Sequence, residues 1–117
     1  MTPEGKVKKT VKEFLISLGF QPAAAKPIKG KVVGWFYMPV SNGMGIHGIP
    51  DFVCVYKGLA FYIEVKADEK SEPTANQLLR HKEIRAAGGM CIVAYNVSQV
   101  ADAIYRMDKE INGRTPI

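Results

Sequence analysis

A chain of 117 residues, 47% of them hydrophobic, has the length of one domain, and residues 1–117 are expected to form a single domain with a real core. No apolar run approaches the roughly 18 residues a membrane-spanning helix needs. The start Met1-Thr2-Pro3-Glu4 carries no hydrophobic export signal, so a cytoplasmic protein with no membrane partner is expected. The net charge of +5 is unevenly placed: residues 1–31 hold seven lysines against Glu4 and Glu13, while the remainder is balanced. A basic end on a balanced body suits a polyanionic partner, although a solvated lysine face would look the same.

The first element reads as a helix, with Thr2 as N-cap and Pro3 in its first turn. Val7, Val11, Phe14, Leu15 and Leu18 recur at the helical period, and Gly19 ends it. Residues 20–31 hold Pro22, Pro27 and Gly30 and read as a loop. Val32–Met38 is β-branched and aromatic, hence a strand despite Gly34. Residues 39–50, with two prolines and three glycines, form a long irregular loop of the kind that more often carries function than not. Two apolar runs follow, Phe52–Tyr56 and Leu59–Val65, joined by Lys57-Gly58 as a hairpin. After a polar stretch, Thr74 and Gln77 form a capping box for a second helix that Gly88-Gly89 terminates. Met90–Tyr95 is a buried strand. Ser98 then caps a last helix with Val100, Ile104, Met107 and Ile111 on one face, ending at Asn112-Gly113. The expected order is α-β-β-β-α-β-α. Cys54 and Cys91 each sit in an apolar run and read as buried free thiols; no zinc-ligand spacing is present.

The hairpin brings chemistry-bearing residues together. With a two-residue loop Tyr56 faces Leu59, and the same register sets Asp51 opposite Glu64, where facing Cβ atoms stand roughly 4.5–5.5 Å apart. Lys66, two residues beyond Glu64, shares its face. Two facing carboxylates repel unless one holds a proton or a cation bridges them. A hard divalent ion such as Mg²⁺ takes oxygen ligands and completes its shell with water and phosphate. The ordinary reading of Glu-x-Lys is a surface ion pair, but Phe61, Tyr62, Ile63 and Val65 make the strand apolar on both faces, which weakens it.

Glu4 precedes Val7, Val11, Phe14 and Leu18 by helical steps and is expected on the buried face as a third carboxylate; the helix dipole alone would also favour it there. Gln77, beside its capping role, lies at a helix N-terminus that would favour a phosphate. Lys6 and Lys9 in the basic helix, with Asn42 and His47 in the glycine-rich loop, are the candidate nucleic-acid contacts. Trp35, Phe36 and Tyr37 could stack on bases, or serve as core.

Gly48-Ile49-Pro50-Asp51, Glu64-Val65-Lys66 after the hairpin, Gln77 in the next helix and Gly88-Gly89 before a strand resemble the VRR-NUC domains of the PD-(D/E)XK nuclease superfamily. The resemblance runs from Glu4 to about Tyr95 and leaves the last helix outside its motif set. It implies an α/β fold with a mixed central sheet flanked by helices. It also implies a divalent metal, Mg²⁺ or Mn²⁺, held by Asp51 and Glu64 with the backbone carbonyl of Val65. Lys66 would be the catalytic lysine, Glu4 the helical acid near the metal, directly or through water, and Gln77 a supporting residue. Short stand-alone members resemble phage and bacterial enzymes thought to dimerise and cut branched DNA such as four-way junctions. For such a dimer the apolar face of the last helix and the aromatic strand 35–37, if it lies at a sheet edge, are the candidate interfaces. A catalytically silent nucleic-acid-binding module would have lost a ligand or the lysine, and all are present. A two-carboxylate glycosidase fits neither the basic first segment nor Lys66.

Overall fold

The computed structural model describes residues 1–40 and 45–113. The chain runs α1 (Pro3–Leu18), β1 (Phe20–Pro22), β2 (Gly34–Tyr37), β3 (Phe52–Tyr56), β4 (Leu59–Val65), α2 (Ala75–Ala86), β5 (Met90–Ala94) and α3 (Val97–Asn112). The strands form one mixed sheet in sequence order. β1 runs parallel to β2, β2 and β3 are antiparallel, β3 and β4 form the hairpin, and β5 returns parallel to β4 after α2. On one face of the sheet Phe52, Cys54, Tyr56, Phe61, Ile63 and Val65 are buried with Val11 and Leu15 of α1 and Val100, Ala103 and Met107 of α3. The opposite face, carrying Tyr62 and Glu64, receives α2. Cys54 and Cys91 are buried free thiols, and burial pushes the Cys91 thiol up to about 11.

Local chemistry explains the helix boundaries. The Thr2 hydroxyl accepts from the Gly5 N–H, and Gly19, at φ 105°, closes α1 in the left-handed conformation. Thr74 and Gln77 form the reciprocal capping box of α2. α3 starts two residues earlier than Ser98 suggests: Asn96 is its N-cap and forms a capping box with Gln99. Lys57 (φ 46°) and Gly58 (φ 86°) both take positive φ, the two-residue turn whose twist matches the flanking strands.

The expected loop over 20–31 contains β1, so the sheet has one strand more than the sequence indicates. Three residues ending in a proline are too short to show alternation. They pair because the Phe20 ring lies against Gly34, where an added Cβ would stand 2.5 Å from that ring and 2.6 Å from the Val55 carbonyl oxygen. β2 is thereby an interior strand, not a sheet edge. Its Trp35 and Tyr37 are exposed while Phe36 is buried. The apolar face of α3 packs into the core of its own chain through Val100, Met107, Ile104 and Ile111.

Gly48 fixes the long loop to α2. At φ +87° its backbone lies so close to the first turn of α2 that a Cβ would fall 2.4 Å from the Asn76 carbonyl group and 2.7 Å from the Gln77 nitrogen. Gly48→Ala combines a disfavoured φ with a backbone clash. Urea denaturation is expected to show a loss of roughly 2 kcal/mol or more, whereas Gly30→Ala, with φ +87° but open space around it, should lose about 1 kcal/mol.

Candidate active site

The site lies where the hairpin meets α2. Phe52 pairs with Ile63 as the last bonded step of β3 and β4, so the next step sets Asp51 opposite Glu64. The Asp51 carboxylate turns one residue further: its Oδ2 accepts from the Val65 N–H at 2.7 Å. Glu64 and Lys66 lie on the α2 side of β4, and both are buried, at 2% and 8% exposure. Charges are almost never buried to this degree without partners, and the partners come from α2.

Gln77 is the principal one. Its Oε1 accepts from the Thr74 N–H at 2.8 Å and from Lys66 Nζ at 2.9 Å, while its Nε2 donates to Glu64 Oε2 at 2.9 Å. Both Thr74 and Lys66 present donors, so the amide oxygen must face them and the NH₂ must face Glu64. The helix cap and the side-chain network thus share one residue. One turn on, His81 is 1% exposed, with Nε2 3.6 Å from Glu64 Oε1. No sequence motif singles out His81; its position four residues after Gln77, on the same helix face, is the signal that points to it.

Glu64 Oε1 and His81 Nε2 are buried with no hydrogen-bond partner. Burial, then the nearby Asp51 carboxylate, pushes the Glu64 carboxyl up from 4.5 to about 9, Lys66 opposing this and Glu4 adding to it. Burial, followed by the charges of Arg85 and Lys66, holds the His81 imidazole below its usual range. The His81–Glu64 approach resembles a salt bridge, but at 3.6 Å the two atoms share no hydrogen bond, and burial disfavours the charged form of each. The orphaned Oε1 and the suppressed ionisation of Glu64 are the two features a cation seated against Asp51 would relieve.

From α1, Lys8 Nζ stands 3.2 Å from Asp51 Oδ1. Glu4 is exposed, not on the buried face as its spacing suggested, because the helix start projects past the core; its charge nonetheless reaches Glu64. Lys6 and Lys9 are exposed. His47 and Gln77 line a cleft of about 410 Å³ with Lys8, Gly48 and Asp51; Asn42 lies outside the described residues. Among the described residues, no three His, Cys, Asp and Glu side chains cluster to hold a metal by themselves. The donors that fit one are the Asp51 and Glu64 carboxylates, which face each other across the hairpin. That is a set for a hard ion which draws the rest of its shell from water and substrate.

No family model and no curated protein matches the chain. Solved structures do match. A structure described as a VRR_NUC domain is 28% identical, with 90% of this chain and 97% of that one covered and a TM-score of 0.66. A second, described as a VRR_NUC domain protein, is 18% identical over 91% and 88% at a TM-score of 0.63, a likeness of fold alone. The mixed sheet with its three helices is the α/β architecture of these neighbours. The likeness supports a VRR-NUC domain, and with it a place among nuclease-type domains.

The electrostatics yield a sign that can be tested. A carboxyl with a raised folded-state pKa contributes stability below its unfolded value of 4.5, and that contribution is lost as pH rises towards about 9. His81, with a lowered pKa, acts oppositely, and mainly below about pH 7. In chelator, stability between about pH 7 and 9 should therefore fall by up to about 1.4 kcal/mol per pH unit. Glu64→Gln should remove most of this slope, and Mn²⁺ should stabilise the parent protein at pH 8 but not the variant. Thermal melts across pH, with and without the ion, check both.

Proposed function

We propose that the protein is a Mg²⁺- or Mn²⁺-dependent DNA endonuclease that hydrolyses phosphodiester bonds, with branched DNA such as four-way junctions as its substrate and a homodimer as its working form. The observation that carries this reading is the facing pair Asp51 and Glu64 with Lys66 held beside it by Gln77. Such an arrangement is costly to fold unless a cation and a phosphate use it. Asp51, Glu64 and the Val65 carbonyl would hold the ion, with Glu4 reaching it through water. When bound, it would act as a Lewis acid on the phosphate and make water a better nucleophile.

The chain's own residues account for the rest. Lys66 has three N–H donors and commits one to Gln77. The other two are free for a non-bridging phosphate oxygen and for the attacking water, whose oxygen bonds to phosphorus as the leaving sugar oxygen departs. Gln77 holds Glu64 and Lys66 at one spacing, so neither must reorganise during the reaction. The N-terminus of α2 lies at the cleft and favours the phosphate charge. Lys6, Lys9 and Lys12 extend a basic surface from the site for flanking phosphates. Symmetric cutting of a junction needs two sites in fixed relation, which a twofold dimer supplies. The exposed Trp35, Tyr37 and Val55 support this better than α3, whose apolar face is spent within the chain.

Labelled single-stranded, duplex, flap and four-way-junction DNA, incubated with Mg²⁺, Mn²⁺ or chelator, test the reading. Junction cleavage that needs the ion is expected, and Glu64→Gln or Lys66→Ala should lower it by at least ~100-fold with DNA binding retained. Near-parental cleavage by Glu64→Gln would refute the site; binding without cleavage in every condition would mark a silent binding module. Replacing Lys6, Lys9 and Lys12 together should flatten the slope of log affinity against log salt by about 2–3. Sedimentation should show twice the 12.9 kDa chain mass; a monomer that still cuts junctions fully would exclude the dimer.

A further inference from the structure

Lys8 holds a position that the charge pattern of α1 does not single out. Glu4, Lys8, Val11 and Leu15 follow one another at steps of three or four along α1, and this row runs from the exposed helix start into the core. Lys6, Lys9 and Lys12 are exposed, whereas Lys8 is half-buried and carries its ammonium to Asp51. Of the two Asp51 oxygens, Oδ2 is taken by the Val65 N–H. Oδ1, the one left for a cation, is the oxygen that Lys8 meets at 3.2 Å. Part-exposed ion pairs add little to stability, so folding alone does not explain a lysine here.

We propose that Lys8 is the site's internal counter-cation: its ammonium keeps the divalent ion's place at Asp51 and passes to a substrate phosphate when that ion binds. The inference rests on the metal-dependent reading above. An ammonium and a divalent ion on one carboxylate oxygen repel each other strongly at this range, so one must leave. Lys8 has somewhere to go, because it also lines the cleft shared by Asp51, His47, Gly48 and Gln77. Its flexible four-carbon stem with a rotatable charged head permits that movement. Without DNA the ion must displace Lys8 and leave its charge beside its own; with DNA a phosphate accepts the ammonium. Ion and DNA therefore strengthen each other's binding, and the coupling is reciprocal.

Lys8→Met keeps the stem and removes the charge, while Lys8→Arg keeps the charge. In calorimetric titration of the full chain with Mn²⁺ alone, Lys8→Met should bind about tenfold tighter than the parent, and Lys8→Arg should restore parental affinity. In a Lys66→Ala background, Mn²⁺ should tighten binding of a labelled four-way junction, and Lys8→Met should remove most of that tightening. A Mn²⁺ affinity for Lys8→Met within about twofold of the parent overturns the role given to Lys8 and leaves the site assignment standing. No Mn²⁺ binding by the parent overturns both. Melting curves separate either result from misfolding, since loss of a part-exposed ion pair should leave a cooperative transition.

Discussion

Gln77 joins folding to the site, because one amide group takes up a backbone donor at the start of a helix and also holds two buried polar side chains. Its oxygen serves the Thr74 N–H and the Lys66 ammonium, and its nitrogen serves Glu64. Glu64 and Lys66 are tolerated in a strand apolar on both faces because α2 delivers this amide to them. α2 is in turn placed by Gly48, against which its first turn closes, and by Arg85, which donates to the Cys91 carbonyl oxygen of β5 at 2.8 Å.

What the network leaves unsatisfied is as informative as what it satisfies. Folding normally pairs buried polar atoms, yet Glu64 Oε1 and His81 Nε2 face each other without a bond. Asp51 brings a second carboxylate to the same place and Lys8 caps it from outside. Glu64 is closed in by protein, while Asp51 opens to the cleft. An ion between them would thus have a dry side fixed by Gln77 and His81, and a wet side where water and phosphate could enter. Strained or incompletely satisfied groups concentrate at functional sites for this reason: the missing partner arrives with the ligand.

Much of this was legible in the linear sequence. The period of 3.6 places α1 and α3, continuous apolar runs bounded by turn residues place β3, β4 and β5, and the capping chemistry of Thr74 and Gln77 marks the start of α2. The turn at Lys57-Gly58 determines by arithmetic that Asp51 faces Glu64, because an antiparallel register has no freedom once its loop length is known. Local rules failed where a non-local partner decides. β1 exists because the Phe20 ring covers Gly34, and three residues hold no period from which to read that. Glu4 follows the periodicity of the buried stripe yet is exposed, because periodicity gives a direction around the helix but not where the core stops along it. The aromatic strand is interior because β1 covers its other edge.

Covalent spacing and the fixed geometry of a hairpin are enough to say which carboxylates and which lysine share a strand face. The groups that join them from the helices are settled by packing. His81 reaches Glu64 and Lys8 reaches Asp51 because α2 and α1 pack at particular angles and depths against the sheet. Those angles depend on side-chain volumes summed over the whole core, a sum that no local stretch of the chain contains.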